Sequence, residues 1–216
     1  MIRHVVWDWN GTLFDDLHLV VESVNAGIAP LGIPPITFED YRTHYTRPVK
    51  LFYERLAARP VSDAEWLDLD TRFHDAYRDL LPNAGLARDA LDALRAVVDV
   101  PAEQSLLSMF PHHELVPLVD RLGVGEYFSR IDGLRGEPGA QKSAFLEAHL
   151  RALMRHEDPA TVLLIGDATD DAVAAAHVGA AVVLVDTGAH HRRELESHGV
   201  PVADDLLGAL RLGGLV

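Results

Sequence analysis

The feature that most limits the possible folds is a short, almost continuous apolar run at residues 161–167, which ends in Gly166 and Asp167. A strand that is apolar on both faces is typical of a parallel sheet covered by helices on both sides. Similar short strands are predicted at residues 4–7, 104–109 and 181–186, and a strand or turn within 127–133. Helical spacing of apolar residues predicts the segments between and after them as helices, at 87–97, 111–122, 141–156, 170–178 and 203–212. Alternating strands and helices indicate an α/β fold with a Rossmann-like, three-layer parallel sheet.

The segment from residue 15 to residue 81 has helical periodicity throughout and no strand signal. Thr37, followed three residues later by Asp40, resembles a capping box, and Ser62 precedes a long amphipathic helix predicted at 64–81. A linker follows at 82–85. We therefore expect a core made of residues 1–14 and 86–216, with an all-helical insert at 15–85.

Composition excludes several classes of function. The 216 residues include 33 acidic and 19 basic ones, a net charge of −14 that disfavours nucleic-acid binding. Because there is no cysteine, disulfides and thiolate zinc sites are excluded. No apolar run approaches the roughly 20 residues of a membrane span, and the N-terminus does not resemble a signal peptide. We expect a cytoplasmic protein, monomeric or homodimeric, without a membrane partner.

Polar side chains end several of the predicted strands. Asp8, Ser108 and Asp167 lie at strand ends, Asp171 follows in the next helix, and Lys142 begins another helix after a glycine-containing loop at 135–139. Ligands of open α/β sheets bind at the carboxyl ends of the strands, so we expect these side chains to meet there. Converging carboxylates repel each other unless a cation lies between them, and hard oxygen ligands favour Mg²⁺. A lysine and a hydroxyl beside them suit phosphoryl transfer, in which an aspartate can itself be the nucleophile.

The order of these segments resembles the haloacid dehalogenase-like hydrolase superfamily, most closely its phosphoglycolate-phosphatase-like branch, over nearly the whole chain. The motifs that carry the resemblance are DWNGTLFDD, LLSMF, the lysine of GEPGAQKS and LLIGDATDD. It implies hydrolysis of a small phosphorylated metabolite, a phosphate monoester, through an aspartyl-phosphate. The resemblance also implies that residues 1–14 and 86–216 form the catalytic core and that the insert at 15–85 is a cap. The implied roles are Asp8 as nucleophile and metal ligand, Ser108, Met109 and Lys142 as phosphoryl-binding residues, Asp167 and Asp171 as Mg²⁺ ligands, and Arg47 and Lys50 as cap residues that meet the substrate.

One position departs from the pattern of these phosphatases. Asn10 stands where they carry a second aspartate, which protonates the leaving group and later activates water. The backbone carbonyl of Asn10 would still bind the metal, but an amide does not transfer protons, an effect typically worth 10²–10⁴-fold in rate. Three outcomes stay open: His44 or Lys50 does the acid/base work, the substrate has a leaving group that needs no proton, or the protein binds phosphate esters with little or no turnover.

The departure also admits relatives with other chemistry. Phosphonoacetaldehyde hydrolase has a similar DW-x-GT opening, with a non-acidic residue at that position, and uses a cap lysine as a Schiff base. Lys50 is the corresponding candidate here, and the alternative activity is cleavage of a carbon–phosphorus bond. Haloacid dehalogenases also lack the second aspartate, but they use no metal and lack the Gly166-Asp167 pair, so they fit less well.

Overall fold

The computed structural model describes residues 1–136, 141–153 and 158–216. The chain divides into two compact units: a core unit, Met1–Asp15 with Gly85–Val216, and a helical unit, Asp16–Ala84. Residues 137–139 of the predicted loop and residues 154–156 of the predicted helix lie outside the described part of the chain.

The core unit is built on a parallel sheet. The strands among the described residues are β1 (His4–Trp7), β2 (Phe14–Asp15), β3 (Gly85–Leu86), β4 (Glu103–Pro111), β5 (Ile131–Leu134), β6 (Val162–Gly166), β7 (Ala181–Val185) and β8 (Val202–Ala203). Six of them form one sheet in the order β5-β4-β1-β6-β7-β8, and every neighbouring pair is parallel. The predicted α/β fold with a parallel sheet is confirmed.

Helices account for most of the remaining described residues. They are α1 (Leu17–Ile28), α2 (Phe38–His44), α3 (Val49–Ala57), α4 (Asp63–Leu80), α5 (Ala90–Val98), α6 (His112–Arg121), α7 (Lys142–Leu153), α8 (Thr169–Val178), α9 (Arg192–Glu196) and α10 (Leu206–Leu212). No helix of the described residues is both long and apolar enough to cross a membrane.

Helices pack on both faces of the sheet. Val6 and Leu164 belong to one buried cluster with Leu146 of α7 and Ala174 of α8. Because successive strand residues point to opposite faces, the neighbouring Trp7 lies on the other face. There its indole Nε1 donates to Gln104, whose amide in turn donates to the backbone carbonyl of α5 residue Leu94, at 2.9 and 3.0 Å. The apolar character of both strand faces therefore follows from the three-layer packing.

The helical unit contains α1 to α4 and no strand. The predicted helix starts are confirmed, since Thr37 with Asp40 and Ser62 with Glu65 form complete capping boxes. Within this unit the Tyr77 hydroxyl donates a 2.6 Å hydrogen bond to the buried carboxylate of Asp16.

Some predicted boundaries were wrong. Asp15 does not begin a helix but pairs with Gly85 in the short antiparallel ladder β2–β3. The predicted helix at 203–212 begins only at Leu206, because Val202 and Ala203 extend the sheet as β8 beside β7. The five-residue helix α9 was not predicted.

Candidate active site

The sheet order explains how distant parts of the chain meet. β1 lies between β4 and β6, with Trp7 level with Leu106 and Ile165. Asp8 follows β1 directly, and its backbone N–H donates to the Ile165 carbonyl at 2.8 Å. Asp167 follows β6, so both aspartates emerge side by side at the carboxyl edge of the sheet.

Three carboxylates converge at this edge. Asp8, Asp167 and Asp171 each place one carboxylate oxygen within 4.8 Å of the others, and all three residues are buried. Asp171 lies in the first turn of α8, where its Oδ2 accepts a 3.0 Å hydrogen bond from the Ala168 N–H. That bond satisfies one of the open N–H groups at the helix start and fixes the side chain toward the strand ends.

Lys142 places its ammonium group among these carboxylates. It is the first residue of α7, and its Nζ lies 2.6 Å from Asp8 Oδ1 and 2.5 Å from Asp171 Oδ1. Burial by itself lowers the pKa of Lys142, but Asp171 and Asp8 outweigh it and raise that pKa above its ordinary value. Lys142 therefore stays a charged donor beside the first carboxylate of the chain.

The electrostatic balance of the cluster favours a cation. Burial raises the pKa of Asp8 to about 6, with a further rise from Asp171 and an opposing effect from Lys142. Burial and then the charges of Asp8 and Asp171 raise the pKa of Asp167 well above its usual range. With three ionised carboxylates and one ammonium the cluster would carry a surplus of two negative charges. A divalent cation would cancel that surplus, and an all-oxygen donor set suits Mg²⁺.

The turn after Asp8 contains Asn10, whose side chain is an amide. Backbone hydrogen bonds from Thr12 and Phe14 to the Trp9 carbonyl close the turn. Ser108 of β4 lies beside it, with its Oγ 3.5 Å from Asn10 Oδ1. The same hydroxyl accepts a 3.0 Å hydrogen bond from the Phe110 N–H, which orients it at the end of its strand. The next residue, Met109, is half-buried on β4.

The remaining predicted substrate residues belong to the helical unit. Lys50 pairs with Asp63 at 2.7 Å, and the Arg47 guanidinium donates to the Tyr45 hydroxyl at 3.3 Å. Lys50 is thus a partly exposed lysine that takes part in a surface ion pair. Its contact with substrate, and that of Arg47, stay predictions.

Sequence reasoning assigned no role to Thr12, although it belongs to the same turn as Asn10. Its hydroxyl donates a 3.1 Å hydrogen bond to Asp167 Oδ1 across 155 residues of sequence. The signal that would have found it is its distance of four residues from a strand-ending aspartate, on a turn that must face the next strand end.

The chain is similar in sequence to known hydrolases. A family model described as HAD-hydrolase-like matches residues 138–209. A phosphoglycolate phosphatase of Pseudomonas fluorescens is 27% identical over 219 residues, covering 99% of this chain and 80% of that protein. One of Synechococcus elongatus is 28% identical over 196 residues, covering 90% and 88%.

Solved structures share the fold at lower identity. A predicted phosphoglycolate phosphatase from Haemophilus somnus superposes with a TM-score of 0.80 at 19% identity, over 98% of both chains. CbbY from Rhodobacter sphaeroides, solved in complex with phosphate, superposes with a TM-score of 0.72 at 18% identity, over 98% of this chain and 99% of its own.

Proposed function

We propose that the chain is a haloacid dehalogenase-like hydrolase and, within that superfamily, a Mg²⁺-dependent phosphatase of a small phosphate monoester, similar to phosphoglycolate phosphatases. The observation that carries the proposal is the placement of Lys142 Nζ between Asp8 and Asp171, beside a third buried carboxylate, Asp167. Charge neutralisation and positioning are what phosphoryl transfer requires of a protein.

In the proposed reaction an oxygen of the Asp8 carboxylate attacks phosphorus, and the bond from phosphorus to the ester oxygen breaks. Lys142 and the Ser108 hydroxyl hold oxygens of the transferred group. Water then attacks the phosphorus of the aspartyl-phosphate, which releases phosphate and restores Asp8. The Mg²⁺ ion, held by Asp8, Asp167, Asp171 and the backbone carbonyl of Asn10, would supply neutralisation of the phosphoryl charge.

Asn10 shapes the expected substrate range. Its amide neither protonates the leaving oxygen nor deprotonates the water, so turnover should depend strongly on how well the leaving group departs without a proton. We therefore expect aryl and acyl phosphates to react faster than alkyl phosphates. Asn10 also favours a second candidate, a protein on the same scaffold that binds phosphate esters and turns them over slowly or not at all.

Cleavage of a carbon–phosphorus bond has less support. That chemistry needs a lysine that forms a Schiff base, and Lys50 instead pairs with Asp63. Borohydride trapping in the presence of phosphonoacetaldehyde would detect a covalent adduct at Lys50 if this reaction took place.

The test is phosphate release from a panel of aryl, acyl and alkyl phosphates, including 2-phosphoglycolate, with and without Mg²⁺. The proposal predicts Mg²⁺-dependent turnover that is lost in Asp8→Ala. Normal phosphate binding without turnover of any ester would contradict it and support the binding protein instead.

A further inference from the structure

The loop that follows β7 reaches the same sheet edge as the carboxylate cluster. β7 pairs with β6 in parallel, with Gly166 level with Leu184. The residues just beyond β7 therefore pass alongside Asp167, which follows Gly166 directly. They include Thr187 and Gly188. The sequence motifs do not contain these two residues, and the proposed function assigns no role to them.

Gly188 lies against the Asp167 carboxylate. A Cβ atom added to Gly188 would lie 1.6 Å from Asp167 Oδ2 and 2.4 Å from its Cγ, distances that no side chain tolerates. The φ angle of Gly188 is outside the left-handed range, so an L-residue meets no backbone strain there. An alanine at this position would therefore displace the Asp167 side chain, and the Gly188 backbone forms one wall around it.

The turn after β1 forms the opposite wall. A Cβ atom added to Gly11 would lie 2.5 Å from Asp167 Oδ2. The Thr12 hydroxyl donates to the other carboxylate oxygen, Oδ1, at 3.1 Å. The Asp167 side chain is thus enclosed by two loops, one on each side.

Thr187 connects these two loops. Its hydroxyl donates a 2.5 Å hydrogen bond to the Gly11 carbonyl, across 176 residues of sequence. This bond sets the separation between the turn that carries Asn10 and the loop that carries Gly188. The width of the gap that holds Asp167 depends on that separation.

We propose that Thr187 and Gly188 are positioning residues for the Mg²⁺ site: together they fix the Asp167 carboxylate in the orientation that faces Asp8. The inference rests on the proposed function, because it gives Asp167 a cation to bind. Groups that orient metal ligands typically contribute 10- to 100-fold to metal affinity, since a ligand held in place loses less freedom on binding.

The experiment is calorimetric titration of the full chain with Mg²⁺ alone. Gly188→Ala should raise the Kd for Mg²⁺ at least tenfold, because the new methyl group displaces Asp167. Thr187→Val, which removes the hydroxyl with little change of shape, should raise it three- to tenfold, and Thr187→Ser should stay within twofold of the wild type. Gly123→Ala is the control: it strains a left-handed glycine with no neighbour within 4 Å, and should leave the Kd within twofold.

The wild type tests the proposed function, and the variants test the positioning role of Thr187 and Gly188. If the wild type binds no Mg²⁺, the proposed function fails and the inference fails with it. If the wild type binds Mg²⁺ and both Gly188→Ala and Thr187→Val bind it as tightly, the cation site stands and the positioning role is overturned. Should Gly188→Ala not fold, the comparison of Thr187→Val with Thr187→Ser decides, since a general loss of structure would not be rescued selectively by the hydroxyl.

Discussion

Lys142 Nζ lies 2.6 Å from Asp8 Oδ1, and both side chains are almost fully buried. A buried ion pair of this kind is costly to break, because removing one partner leaves the other charge without compensation. The pair also joins the first strand of the core to a helix that begins 134 residues later in the sequence. Its integrity therefore bears on both folding and chemistry.

Replacing Lys142 tests the contribution of this pair to folding stability and to catalysis. We expect Lys142→Met to lower the unfolding free energy by about 3–5 kcal/mol in the absence of Mg²⁺. We also expect a loss of about 10²–10³-fold in kcat/KM, the size seen when one preorganised donor to a transition state is removed. Urea unfolding and phosphate release measure the two effects. Arg72→Met, which removes an exposed ion pair with Asp68, is the stability control and should cost less than about 1 kcal/mol.

Asn10→Asp introduces a carboxylate at the position where the family resemblance implies an acid/base group. For alkyl phosphates, whose leaving oxygen needs a proton, we expect kcat to rise by about 10²–10⁴-fold. For aryl phosphates the increase should be much smaller, because departure of the leaving group no longer limits the rate. Steady-state kinetics on one substrate of each kind measures the difference. A fall in kcat with both substrates would mean that the site is built around an amide.

Mg²⁺ should stabilise the folded protein. A ligand that binds only the native state at 100 times its Kd adds about 2.7 kcal/mol to the unfolding free energy. We expect a corresponding rise in Tm on adding Mg²⁺, its reversal by a chelator, and its absence in Asp167→Asn. Asp92→Asn, which changes an exposed carboxylate elsewhere in the core unit, should keep the full rise. An equal rise in both variants would indicate nonspecific binding to the acidic surface.

A buried pair of histidines predicts how stability depends on pH. Burial, and then the charge of His149, lowers the pKa of His4 to about 4, and burial lowers that of His149 although Asp132 opposes it. Between about pH 4 and 6.5 the native state therefore binds fewer protons than the unfolded state, so the unfolding free energy falls as the pH drops through this range. For His4 the full loss is about 3 kcal/mol.

His4→Gln isolates this effect, because the glutamine amide still reaches the Ser105 hydroxyl, which lies 2.8 Å from His4 Nε2, but does not titrate. Urea unfolding at pH 7, 6 and 5 should show a shallower decline in the variant than in the wild type. His113→Gln, at a side chain that is 82% exposed, should reproduce the wild-type decline. Parallel declines in wild type and His4→Gln would rule out His4 as the source.

The sequence predicted the parts of this molecule that depend on local pattern. The continuous apolar runs of β6 and β7 predict buried parallel strands. The residues that follow such strands must lie at the carboxyl edge of the sheet. That rule alone predicts that Asp8 and Asp167 lie close together. The two-residue strand β8 is too short to show any periodicity, and its place in the sheet comes from packing beside β7.

The features that the sequence did not predict are contacts between segments that are distant in the sequence. Gly188 touches Asp167, and Thr187 bonds to Gly11, because of how closely two strand ends lie in the folded sheet. His149 reads as an ordinary residue of a predicted helix, yet its two ring nitrogens contact Asp132 and Ser105 at 2.7 and 2.8 Å. Contacts of this kind have no signature in spacing or composition.

The most direct test of the central claim is a crystal structure of the wild-type protein grown with Mn²⁺ in place of Mg²⁺, with anomalous diffraction to locate the ion. We predict one strong peak between Asp8 and Asp167, within coordination distance of a carboxylate oxygen of each. A fully ordered site with no peak there, or with Asp8 and Asp167 turned away from a shared ion, would contradict it.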